Sequence, residues 1–214
     1  MKLFLSSYQI GNAPEKLTEL IGSNKRAALI MNATDPFGNE QRPDYVLKYK
    51  MAFAEHGIEM EELDLRNYFN AKADLQSALS NYGLMWAAGG NTFALRWAMN
   101  KSGLDTLLPN LLQTSDLVYG GFSAGACVLS PTLKGIHLAD EPEKIPATEL
   151  QWEGLGLIDF CIAPHYRSNH PESPAMENVV AYYKTHNIKY KTLHDGEAIR
   201  INQGKTELVG HPTP

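Results

Sequence analysis

Short apolar runs alternate with longer amphipathic stretches along the first half of the chain, and the two periods predict its elements in turn. Residues 2–7 read as a strand, 14–22 as a helix closed by a glycine, and 26–32 (RAALIMN) as a buried strand. Residues 43–56 set Val46, Leu47, Met51 and Phe53/Ala54 near helical spacing and stop at Gly57. Residues 58–65 return to a strand pattern, 71–79 to a helix and 82–87 to a strand. A further helix opens at Asn91, another covers 104–113, and the apolar strand 117–122 runs straight into Ser-Ala-Gly-Ala. This rhythm predicts an α/β fold: an open, mostly parallel sheet with helical crossovers on both faces. Such sheets hold ligands beyond the carboxyl ends of their strands.

The last third is patterned differently. Residues 158–163 read as a strand, 171–184 as a helix and 190–210 as several short strands, with Asn202-Gln203-Gly204-Lys205 placed as the turn of a C-terminal β-hairpin. No repeat, low-complexity stretch or linker interrupts the pattern, so residues 1–214 are expected to form a single α/β domain.

Composition narrows the class. With 214 residues, 43% of them apolar and 20% charged, the chain is globular and long enough to bury a large core. A net charge of −5 argues against a nucleic-acid partner held on a basic face. The opening MKLFLSS is too short in apolar residues for a secretory leader, and no run approaches a membrane span. A soluble, cytoplasmic protein with no membrane partner is the expectation. Cys127 and Cys161 have neither the number nor the spacing of a disulfide framework or a zinc site. They are expected buried and reduced, and no metal is expected.

Chemistry enters at Gly121-Phe122-Ser123-Ala124-Gly125, a G-x-S-x-G sequence lying between a predicted strand and a helix. A serine at such a turn projects its hydroxyl from the sheet edge, and the helix behind it aims N–H groups at any oxyanion formed there. A small-residue turn with a capping serine would carry the same letters. Serine needs a base to act as a nucleophile. Of seven histidines, His165 follows a predicted strand at the same sheet edge, and His170 on the same loop is second. The stretch between nucleophile and base offers Asp140, Glu141, Glu143 and Glu149 as the acid that would orient the imidazole. The turn Gly89-Gly90-Asn91 is suited to an anion or oxyanion, although a plain turn with Asn91 as a helix cap would look the same. No Gly-rich phosphate loop follows any strand, and no cofactor is expected.

Taken together, LFLSS, AAGGNTFAL, GGFSAGACVLSPT and IAPHY resemble the peptidase E (aspartyl dipeptidase) family of serine peptidases, related to cyanophycinases. The four matches follow the family's order from residue 3 to 166. The resemblance implies a Rossmann-like fold akin to class I glutamine amidotransferase domains. It also implies Ser123 as nucleophile, His165 as base, and an oxyanion hole from Gly89 or Gly90 with the N–H of Ala124. Asp140, in Asp140-Glu141-Pro142, matches the family's D-x-P stretch and is the implied acid, with Glu141 as the alternative. Aspartyl dipeptidases grip the substrate's carboxylate with an arginine at the start of the helix after the histidine. Residues 171–184 hold none; Arg167 on the preceding loop is the candidate for that task, with a plain surface charge as the alternative, and Asn91 is a second substrate-binding candidate. The expected function is cofactor-free hydrolysis of short peptides. An α/β-hydrolase-type esterase and a catalytically inert ligand-binding module are the alternatives.

Overall fold

The computed structural model describes residues 1–38 and 40–213. Strands β1 (Lys2–Ser6), β2 (Arg26–Ile30), β3 (Glu59–Glu62), β4 (Leu84–Ala87), β5 (Val118–Phe122), β8 (Ala198–Asn202) and β9 (Lys205–Val209) form one sheet in the order β3-β2-β4-β5-β1-β8-β9. The first five are parallel, β8 returns antiparallel to β1, and β9 closes the hairpin. The helices are α1 (Pro14–Ile21), α2 (Arg42–Ala54), α3 (Lys72–Leu79), α4 (Thr92–Ser102), α5 (Leu104–Thr114), the single turn α6 (Ala124–Cys127) and α7 (Ser173–Thr185).

Side-chain alternation on the strands builds two cores. Leu3, Leu5, Ala28, Ile30, Met85 and Tyr119 pack on one face with residues of α3, α4, α5 and α7. Phe4, Ala27, Leu29, Leu84, Trp86 and Val118 pack on the other with Leu17, Leu20, Val46 and Phe53 of α1 and α2. The edge strand β3 carries three glutamates in four residues, a charge density that discourages further strand pairing. At the opposite edge Gln203 (φ 50°) and Gly204 (φ 80°) make the two-residue turn that joins β8 to β9.

The last third departs from the linear reading. Strand β7 (Tyr190–Thr192) does not join the main sheet but pairs in parallel with β6 (Cys161–Ala163). The pairing continues past the strands, since Leu193 N–H donates to Ala163 O at 3.0 Å and Tyr166 N–H to Leu193 O at 3.0 Å. Two loops far apart in sequence, 164–170 and 193–197, are thereby held side by side at one end of the molecule.

Candidate active site

Three strand ends meet there. Strand β5 delivers Ser123 through a turn that only small residues permit. A Cβ at Gly121 would stand 2.8 Å from Gly125 O, and one at Gly125 only 2.1 Å from Ala87 O, so α6 starts directly against the end of β4. Ser123 takes φ 49° and ψ −117°, a conformation L-residues rarely adopt. Its side chain makes no capping bond, which separates it from a structural N-cap, and the residue is only 7% exposed.

Strand β1 ends in Ser6, Ser7 follows it, and these two serines tie the other strand ends together. Ser6 O accepts the N–H of Ser123 at 3.3 Å, while Ser7 Oγ accepts the N–H of His165 at 2.8 Å. The ring of Tyr8 continues the link, with its centroid 5.9 Å from both Phe122 and His165. Ser123 and His165 thus lie on adjacent points of one short hinge. His165 itself has φ 55° and is almost completely buried.

The carboxylate against His165 is Asp195, not Asp140 or Glu141. Asp195 Oδ1 lies 2.7 Å from His165 Nδ1 and also accepts the Ser7 hydroxyl at 2.8 Å. Burial alone would raise the pKa of this carboxyl, but the bonds from His165 and Ser7 outweigh it and hold the group below the usual carboxylate range. An ionised Asp195 fixes the ring proton on Nδ1 and turns the Nε2 lone pair outward.

Asp140 has a different post. Its Oδ2 accepts the N–H of Thr92 at 2.8 Å, at the start of α4. Burial dominates there and, despite the bond from the Thr92 N–H, pushes its pKa up to about 7. A carboxyl whose folded pKa exceeds its unfolded one keeps a proton that the unfolded chain has lost, so its contribution to stability falls as pH rises from about 4 to about 7. Asp140→Asn keeps an oxygen for Thr92 and removes that component. Melting temperatures at pH 5 and pH 8 should therefore lie closer together in the variant, and an unchanged gap would contradict the assignment.

Glu141 contributes its backbone, because Asn91 Nδ2 donates to Glu141 O at 2.9 Å. Asn91 Oδ1 caps α4 through Ala94 N–H at 2.9 Å, so both ends of this amide are engaged. The turn before it is sterically tight. A Cβ at Gly89 would meet the Phe122 ring at 2.6 Å and one at Gly90 would meet Ala33 O at 2.5 Å. Among the described residues, the N–H groups of Gly89, Gly90 and Ala124 have no intramolecular acceptor. Arg167 is 65% exposed and pairs with Glu177 at 2.9 Å.

His165, His170 and Glu172 bring three potential metal-ligand atoms within 4.8 Å of one another. The two imidazoles, however, are stacked at 3.7 Å with planes 9° apart. An ion bonded to both rings would stand well out of at least one ring plane, away from its lone pair, so the set as folded does not fit a metal. Both cysteines are buried and unpaired, and burial raises the Cys127 thiol far above its usual range. No helix among the described residues is long and apolar enough to cross a membrane.

A sequence search for the acid between nucleophile and base passes over Asp195, the carboxylate that the fold sets against His165. The Asp195-Gly196 pair just past β7 marks a turn in the sequence, but nothing local says that this turn lies against His165.

Several known proteins similar to this chain are peptidases. An uncharacterized peptidase of Pasteurella multocida is 27% identical, with 97% of this chain and 96% of that protein aligned. Peptidase E of Streptomyces coelicolor is 25% identical over 93% of this chain and 77% of its own length. The crystal structure of a candidate peptidase E protein from Listeria monocytogenes superposes with a TM-score of 0.79 at 27% identity, covering 98% of each chain. Residues 5–209 match peptidase family S51, and the chain belongs to that family of serine-type peptidases.

Proposed function

We propose that the protein hydrolyses short peptides through Ser123, His165 and Asp195. Ser123 Oγ attacks the scissile carbonyl carbon while His165 Nε2 takes its proton, and Asp195 steadies the imidazolium that results. The tetrahedral oxyanion is received by N–H groups of Gly89 or Gly90 and Ala124, each worth about 3 kcal/mol of barrier. Collapse breaks the C–N bond, and His165 returns the proton to the departing amine. Water then adds to the acyl-serine by the same base and releases the acid.

The observation that carries this reading is the Asp195–His165 bond, held on the same Ser6–Ser7 hinge that receives Ser123. Asp140 is better suited to shaping the turn before α4 than to orienting the ring. Arg167, already paired at the surface, gives no support to an Asp-X preference. A panel of dipeptides set against p-nitrophenyl esters tests the proposal. Turnover of dipeptides is expected, and turnover of esters alone would move the chain to the esterase reading.

A further inference from the structure

One charged group at the site has no task in this mechanism. Glu172 precedes α7 without capping it through its side chain, and its Oε2 stands 3.9 Å from His165 Nε2. The side chain is 43% exposed and has no lysine or arginine partner among the described residues. Asp195 already occupies the other ring nitrogen, so Glu172 is not needed to set the tautomer. The other charges nearby do not neutralise it. Asp140 faces both Glu172 and His165, His170 is stacked on His165, and Arg167 is drawn off by Glu177.

Bond geometry says what a carboxylate in this position meets. In an amino-terminal residue the α-nitrogen is two bonds, about 2.5 Å, from the carbonyl carbon. That carbon must come within about 3.5 Å of the attacking hydroxyl, whose proton goes to His165 Nε2. A carboxylate oxygen about 4 Å from that same nitrogen is in reach of a charge-assisted bond to the α-ammonium. The Ser123 hydroxyl, which caps nothing and whose backbone is tied to the same end of β1 as that of His165, marks where the carbonyl lies.

We propose that Glu172 anchors the free α-ammonium of the substrate, so that the enzyme removes single residues from unblocked amino termini and disfavours an acidic side chain on the residue removed. The proposal rests on the serine mechanism above, and its test keeps the two apart. Ala-Leu, Lys-Leu, Asp-Leu and N-acetyl-Ala-Leu are assayed on the wild type, Glu172→Gln and Glu172→Arg, alongside labelling by a fluorophosphonate. The wild type should prefer Ala-Leu and Lys-Leu to the acetylated and the acidic peptides. Glu172→Gln should lose about 30-fold in kcat/KM on Ala-Leu, mostly through KM, while still labelling. Glu172→Arg should bring Asp-Leu ahead of Lys-Leu. Equal cleavage of free and acetylated peptides by a wild type that labels would overturn the role of Glu172 alone. A wild type that does not label would remove the serine mechanism, and this proposal with it.

Discussion

Alanine at position 123 is expected to lower kcat on peptides by about 10⁴-fold or more while leaving the fold and melting temperature unchanged. The structural half of this expectation follows from what the hydroxyl does not do. Its side chain caps nothing, and the hinge to β1 uses the backbone N–H of Ser123, which alanine keeps. The strained φ of 49° is a backbone property that alanine inherits equally. The catalytic half follows from the oxyanion donors, which remain but have no acyl-serine to stabilise. Circular dichroism and steady-state kinetics on the same preparation check both halves. A variant that hydrolyses dipeptides at the wild-type rate would end the account.

Asp195→Asn should cost about 10³- to 10⁴-fold in kcat with little change in KM. Asp195 Oδ1 now takes two bonds, from His165 Nδ1 and the Ser7 hydroxyl. An amide keeps the shape but loses the charge, and its NH₂ can donate to Nδ1 and drive the ring proton to Nε2. The imidazole would then offer Ser123 a proton instead of a lone pair. Kinetics on the purified variant decide the matter. Retention of most of the activity would mean that another group orients the ring, with Asp140, which faces His165 from the start of α4, as the next to examine.

Most of the architecture was legible because the chain writes it locally. The buried strands 26–30 and 118–122 and the helices that separate them follow from apolar periodicity and from glycines at the helix ends. Ser123 was legible for the same reason, since strand, tight turn and helix are contiguous, and Gly121 and Gly125 carry the signal of close packing. Asp195 was not, because its place depends on a non-local pairing. Residues 161–163 and 190–192 look like two more short strands, and nothing within either says that they pair with each other apart from the main sheet. That pairing is what brings Asp195 to His165. The partners of Asn91 and Arg167 were not legible either: residue type suggests a ligand contact, and only the fold shows the Ala94 N–H, the Glu141 carbonyl and the Glu177 carboxylate beside their polar atoms.

The most direct measurement is to treat the protein with a fluorophosphonate and map the adduct by tandem mass spectrometry, following peptidase activity in parallel. A single adduct on Ser123, slowed by excess dipeptide and formed in step with the loss of activity, is the predicted result. Full peptidase activity without an adduct, or with an adduct on some other residue, would contradict it.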